Sequence, residues 1–421
     1  MNKMKESGVE WIGEIPREWK VLKSRYFLKE ISLIGYPDEE VLSLYRDYGI
    51  VPKNSRSDNY NVTSLDTSRY KFVRPGYLVI NKMKAWQGSM AISDFQGIVS
   101  PAYYTYEVDN TIFDLRFLHY VLRNPAYNQE YRRISAGLRI GQWDLNKNEF
   151  KNLKYVYPID KTVQKKIATF LDEKSILIDE IISDTQKTIE ELQEYKKSVI
   201  TEVVTKGFDT NVKFAPSGVE WVGNCPKEWN KFTIGQLFEQ VKQKNTGMIE
   251  KNLLSLSYGR IKRRDINSGE GLLPESFEGY NIIEKDDIVL RMTDLQNDKT
   301  SLRQGIAEER GIITSAYITM RATQKVSPRF VYYQLFGFDV NKGYYGMGSG
   351  VRQSVNWNDI KKLSLILPEF KLQQEIADYL DKKIEQIDAL KAEKENLISE
   401  YESYKKSMIY EYVTGKKQVE Y

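Results

Sequence analysis

The feature that most constrains this chain is that it is written twice. Ser7-Gly-Val-Glu-Trp-Ile-Gly-Glu-Ile-Pro-Arg-Glu-Trp19 returns as Ser217-Gly-Val-Glu-Trp-Val-Gly-Asn-Cys-Pro-Lys-Glu-Trp229, an offset of 210 with both tryptophans and the proline in place. Residues 163–206 align without a gap to 372–415, and 18 of the 44 positions are identical, among them Leu171-Asp172 with Leu380-Asp381 and Tyr195-Lys-Lys-Ser198 with Tyr404-Lys-Lys-Ser407. A self-similarity of this length marks a duplicated structural unit. Each half is a lobe of about 160 residues followed by a segment of about 44.

Inside the lobes the copies keep a frame and little else. Leu42-Ser-Leu44 answers Leu254-Ser-Leu256, Gly97-Ile-Val-Ser-Pro-Ala-Tyr103 answers Gly311-Ile-Ile-Thr-Ser-Ala-Tyr317, Arg116-Phe117 answers Arg329-Phe330, and Gly137-Leu-Arg139 answers Gly350-Val-Arg352. The stretches between differ in length and chemistry. A shared scaffold with divergent interiors suggests two binding modules with different targets.

The 44-residue segments carry the helix period. Leu171, Ile178, Leu192 and Val199 fall on one line with Ile182, Ile189 and Val203 beside it, and Leu380, Ile387, Tyr401 and Met408 repeat it with Ile384, Ile398 and Tyr412. Pro158 and Pro368 stand just before these segments and Gly207 and Gly415 at their ends, suitable start and stop signals. Forty-four residues at about 1.5 Å each extend about 66 Å, too long for one lobe to cover, so the two matching stripes are expected to bury each other as an antiparallel coiled coil with approximate two-fold symmetry. Thr185 with Lys394 and Lys196 with Lys405 put polar groups in that seam, either as register devices or as openings for a partner.

The lobes read as α+β. Tyr77-Leu-Val-Ile80, Ile288-Val-Leu290, Tyr103-Tyr-Thr-Tyr106 and Tyr317-Ile-Thr-Met320 are strand-like, while 114–134 and 327–338 look helical. Composition narrows the chemistry further. One cysteine, Cys225, and one histidine, His119, leave disulfide frameworks, Cys/His zinc sites and Ser-His-Asp triads without parts. His119 has Tyr332 as its counterpart in the other half, which favours packing over catalysis. The opening Met1 to Trp19 is charged and interrupted by Gly8, Gly13 and Pro16, and no run approaches the roughly 18 apolar residues of a membrane span, so a cytoplasmic protein with no membrane partner is expected. The net charge of +4 divides as +4 in each lobe and −2 in each helical segment, which turns any polyanion toward the lobes.

A tandem of two variable lobes, each followed by a helix opening with Pro, Gln-x-x-Ile-Ala and Leu-Asp, resembles the specificity subunit of type I restriction-modification systems. The marks are Pro158, Gln164, Ile167, Ala168 and Leu171-Asp172, then Pro368, Gln373, Ile376, Ala377 and Leu380-Asp381. The doubled Ser-Gly-Val-Glu-Trp opening also looks like the start of such target-recognition domains, and the resemblance spans essentially the whole chain. It implies a first target-recognition domain over 1–160, a spacer helix over 161–207, a second domain over 208–370, a second helix over 371–415 and a tail over 416–421. It implies no catalysis and no cofactor in this chain. Each lobe would read half of a split site in double-stranded DNA, and the coiled coil would set the spacing and carry two methyltransferase subunits. Those partners would bind S-adenosylmethionine and methylate adenine, and motor-nuclease subunits using ATP and Mg would join for restriction.

The family motif does not fix the DNA contacts, so these rest on residue chemistry. Guanidinium and amide groups read base edges in pairs, and further cations neutralise phosphates. In lobe one the candidates are Lys82, Lys84, Trp86 and Gln87 after a strand, with Arg139 and Gln142 after Gly137. In lobe two they are the basic run Arg260, Lys262, Arg263 and Arg264, then Arg291, Gln296 and Asn297 after a strand, and Arg352 with Gln353 after Gly346-Met-Gly-Ser-Gly350. A solvated basic face competes with this reading at 260–264, and Trp86 is open to stacking or packing. Trp11, Trp19, Trp221 and Trp229 are expected in the cores. Asn124-Pro-Ala-Tyr127 lacks the second proline and the cofactor loop of an adenine methyltransferase, and Gly346–Gly350 has neither dinucleotide nor phosphate-loop spacing. Two rival classes stay open at this point: a self-contained nuclease or methyltransferase, and a coiled-coil adaptor joining two protein-binding lobes.

Overall fold

A computed structural model describes residues 3–46, 48–55, 63, 64, 66–137, 143–209, 211–266, 274, 276–293, 295, 302–347 and 354–419. The chain divides into two units, residues 1–186 with 396–421, and residues 187–395.

In the first unit the β-branched and aromatic runs form strands β1 (Leu28–Ile31), β2 (Leu42–Tyr45), β3 (Gly49–Pro52), β4 (Tyr77–Asn81), β5 (Met90–Ile92) and β6 (Tyr103–Val108). An antiparallel sheet has the order β1-β6-β4-β5, and β2 and β3 make a separate hairpin. Helix α1 (Leu115–Leu122) starts where the Asp114 carboxylate accepts from the amides of Arg116 and Phe117. Helix α2 (Pro125–Arg133) starts at Asn124, whose side chain accepts from the Ala126 amide with Pro125 in the first turn, so Asn-Pro-Ala-Tyr is a helix cap. Helix α3 (Lys147–Asn152) and the strand Lys154–Pro158 lead to α4 (Lys161–Lys206). The core gathers Phe113, Phe117, Leu118, Tyr127, Tyr131 and Tyr155. Trp19 meets Phe117 edge-on at 6.3 Å and Trp11 meets Tyr127 edge-on at 4.6 Å, so the opening tryptophans pack against this core.

The second unit repeats the plan with β7 (Phe238–Gln240), β8 (Leu254–Ser257), β9 (Arg260–Arg263), β10 (Ile288–Leu290), β11 (Gln304–Ile306) and β12 (Ile318–Ala322). Its sheet order is β7-β12-β10-β11, and β8 and β9 form the matching hairpin. Helix α5 (Pro328–Val340) covers 327–338 as expected, then α6 (Trp357–Ile360) and the strand Ser364–Leu367 lead to α7 (Phe370–Val413). Trp229 meets Phe330 and Trp221 meets Phe338, again as core packing.

The two long helices pair antiparallel. In the first unit the Phe170 and Tyr412 rings meet at a tilt with centroids 4.6 Å apart and Asp179 takes Lys405 at 2.7 Å, the partner number falling as the helix position rises. In the second unit Lys196 reaches Asp388 at 2.7 Å and Lys383 lies 5.4 Å over the Tyr195 ring. Ile178, Ile189, Ile387 and Met408 of the stripes are buried. Lys196 and Lys405 are therefore the register devices of the two alternatives: each neutralises the same aspartate of the repeat on the other helix. Thr185 returns its hydroxyl to the Ile181 carbonyl of its own helix. Among the described residues no helix is long and apolar enough to cross a membrane.

The family motif is a joint between lobe and helix. Gln164 is fully buried; its carbonyl accepts from the Asp114 amide at 2.7 Å, and its amide donates to the carbonyls of Pro158 at 2.8 Å and Ile112 at 3.0 Å. Gln373 does the same with the Ser327 amide and the Pro368 carbonyl, both at 2.9 Å. Two turns on, Asp172 accepts from Arg116 at 2.9 Å and the Tyr120 hydroxyl at 2.8 Å, while Asp381 pairs with Arg329 and accepts from the Tyr333 hydroxyl at 2.6 Å. Burial and the adjacent carboxylates hold both phenols far above the ordinary tyrosine range. A glutamine can donate and accept at once, which is why this residue type closes a joint between an amide and carbonyls.

Candidate nucleic-acid interface

In lobe one the candidate loop leaves β4 and turns at once. Lys84 donates its amide to the Asn81 carbonyl, a short helical turn covers Ala85–Gln87, and Gly88 ends it at φ +82°, so close to α2 that a Cβ there would lie 2.7 Å from the Asn128 amide. Lys82 pairs with Asp144 at 2.8 Å, and its carbonyl accepts from the Leu145 amide at 2.9 Å. The hydrogen bond to Asp144 holds the Lys82 amine above its ordinary range. These bonds bring Asp144 and Leu145 beside the 82–87 loop. Arg139 and Gln142 themselves lie outside the described residues.

Trp86 is half-buried: its indole donates to the Met83 carbonyl at 3.1 Å and its ring lies 5.2 Å from Trp143, over which Arg132 sits at 5.7 Å. Lys84 and Gln87 are exposed. Trp143 and Arg132 were not among the sequence candidates. Nor was a lysine group nearby: Lys71 donates to the Tyr103 carbonyl at 2.5 Å, and Lys147 lies 4.8 Å over the Tyr104 ring. Burial first, then the charge of Lys147, partly offset by Glu30, presses the Lys71 amine below its usual range. No sequence spacing links 71, 82 and 147; only the tertiary fold does.

In lobe two the basic run is the hairpin β8–β9. Leu254 stands opposite Arg263, Leu256 opposite Ile261 and Ser257 opposite Arg260, so strand alternation puts Arg260 and Lys262 on the face away from the leucines. Arg260 pairs with Asp388 of α7 at 2.8 Å, and Arg263 holds Glu309 with two hydrogen bonds. The run is thus part scaffold and part surface, with Lys262 and Arg264 exposed. After β10 the Arg291 amide donates to the Arg303 carbonyl, and the Val355 amide donates to Met292 at 3.0 Å, the counterpart of the Leu145–Lys82 bond. The Arg303 side chain is 1% exposed and donates to the carbonyls of Thr293 at 3.3 Å and Leu295 at 3.2 Å. Gln296, Asn297, Arg352 and Gln353 lie outside the described residues.

His119 is half-buried, and its desolvation with the Arg123 charge pulls its pKa down to about 3. Arg123, which can only donate, gives a hydrogen bond to its Nε2 at 3.1 Å, so the ring is neutral with its proton on Nδ1.

Comparison with known proteins agrees with this architecture. The family described as "Type I restriction modification DNA specificity domain" matches residues 226–400. Two proteins of Methanocaldococcus jannaschii are each 22% identical: the putative type I restriction enzyme MjaX specificity subunit, over 97% of this chain and 96% of that one, and the type I restriction enzyme MjaVIII specificity subunit, over 96% and 94%. In fold, a chain from a structure of type I R-M system assembly and conformational transition superposes with a TM-score of 0.70 at 12% identity, covering 96% of this chain and 99% of that one. The HsdS subunit of Thermoanaerobacter tengcongensis gives 0.54 at 12% identity, covering 96% and 98%. With the doubled lobe-to-helix joint, these matches make the chain similar along nearly its whole length to type I restriction-modification specificity subunits.

Proposed function

We propose that this subunit reads an asymmetric, bipartite sequence in double-stranded DNA, the lobe of residues 1–160 taking one half-site and the lobe of 208–370 the other. The helices 161–207 and 371–415 set the half-site spacing and carry two adenine methyltransferase subunits, with the motor-nuclease subunits joining for restriction. S-adenosylmethionine, ATP and Mg belong to those partners, and the assembly works in the cytoplasm. The observation that carries this reading is a contrast: the joints built on Gln164 and Gln373 are alike, whereas the loops after β4 and β10 share position and not chemistry. Two alike frames with unlike loops suit two different half-sites, where identical loops would suit a palindrome.

The test is to express the chain with its methyltransferase partner and map adenine methylation. A single split, asymmetric motif is expected; a short palindrome, or no methylation, would refute the reading. Within that map Arg352→Ala should relax one position of one half-site at a cost of about 1–3 kcal/mol. Uniform weakening would reassign Arg352 to a phosphate.

A further inference from the structure

Both hairpins end in an exposed tyrosine followed by glycine. Tyr258-Gly259 forms the whole turn between β8 and β9, with φ +48° and +77°, the left-handed pair that such a two-residue turn demands. Glycine and asparagine suit the first of these positions, and an aromatic side chain does not. Tyr258 is nevertheless 76% exposed. At the tip of the β2–β3 hairpin Tyr48 is 60% exposed and precedes Gly49, itself at φ +74°.

The tips are pinned from behind. The Tyr332 hydroxyl donates to the Gly259 carbonyl at 3.2 Å, and Arg260 is tied to Asp388, which Lys196 also neutralises. In lobe one Arg123 donates to the Arg46 carbonyl, and Gly49 passes so close to Arg123 and His119 that a Cβ would lie 3.4 and 3.8 Å from them. His119 and Tyr332, equivalent in the repeat, thus support equivalent tips. Tyr258 tops a ribbon flanked by the exposed Lys262 and Arg264, and Tyr48 lies edge-on to the Tyr45 ring at 6.2 Å while most of its surface stays exposed. The major groove of B-DNA admits a two-stranded ribbon, and the surrounding cations match its phosphates.

We infer that Tyr258 and Tyr48 are DNA-contacting residues, each pressed by its hairpin against the half-site of its own lobe. This rests on the DNA-reading function proposed above and adds a residue pair to it. The test uses the complex with the methyltransferase partner and the variants Tyr258→Gly and Tyr48→Gly, which suit the left-handed or loop backbone, with a melting curve to verify folding. The expected result is a loss of affinity of about fivefold or more for the mapped site, the size of one base contact, with methylation relaxed only in the half-site of the altered lobe. Unchanged affinity and pattern in both variants, while the wild type still recognises a split site, would overturn the inference and leave the proposed function standing. So would a loss of partner assembly with DNA contacts intact, which would make the tips protein contacts. Absence of any sequence preference in the wild type would overturn the proposed function, and the inference with it.

Discussion

Gln164 and Gln373 are each buried and each satisfied on both sides of the amide. Gln164→Glu keeps the shape and loses the donors, setting a carboxylate against the Pro158 and Ile112 carbonyls. Leaving such groups unpaired costs about 1–3 kcal/mol apiece, so a lower melting temperature is expected for this variant, and likewise for Gln373→Glu. His119 supplies a pH prediction. The unfolded imidazole takes a proton near pH 6.5, whereas the folded one refuses it until about 3, so acid favours unfolding. The contribution of neutral His119 is complete above about pH 6.5 and is lost as pH falls toward 3, at about 1.4 kcal/mol per pH unit. Urea unfolding of His119→Gln between pH 7.5 and 4.5 should show a shallower fall than the wild type; parallel curves would contradict the assignment. The type of these residues was visible in the sequence, and the motif positions Gln164 and Asp172 stood out by repetition. Their partners did not, because Asp114 and Arg116 lie some fifty positions away and only the packing of α1 on α4 brings them together.

At the scale of elements, the long helices were the most legible part, since an apolar stripe of helical period persists through each without an internal glycine or proline. The charges that set their register were only half legible. Lys196 and Lys405 stand out in the sequence as polar groups in an apolar seam, while their partners Asp179 and Asp388 emerge only from the pairing of the helices. Lys405→Glu should lower stability by about 1 kcal/mol, and Asp179→Lys in the same chain should recover most of it, a coupling that a double-mutant cycle measures. The glycines ending these helices differ in strictness. Both have left-handed backbone, but a Cβ on Gly415 would lie 2.4 Å from Pro16, whereas on Gly207 it would lie 3.2 Å from the Trp229 ring. Gly415→Ala is therefore expected to lower the melting temperature more than Gly207→Ala. That Lys82 and Arg291 follow a strand was legible, but the Trp86–Trp143 contact and the Lys71, Lys82, Lys147 group were not, because tertiary packing and not chain distance assembles them.

For the whole molecule the duplication supplied the plan, and the divergence between copies is what the proposed function rests on. If the lobes read DNA through cations, affinity must fall steeply with salt, by tenfold or more between about 50 and 200 mM, and a salt-indifferent complex would favour the adaptor reading. Replacing one lobe with that of a relative should change one half-site and leave the other as it was, as methylation mapping would show.

The first unit is assembled from residues 1–186 and 396–421, and Gly415 closes over Pro16 and Trp19. During synthesis, then, the amino-terminal lobe emerges from the ribosome long before the segment that seals it. It must wait, with Trp19 uncovered, while some two hundred further residues are translated. The second unit, drawn from one unbroken stretch, has no such delay. Release of the nascent chain before residue 396 should leave the earlier lobe as the chaperone client and the later one folded.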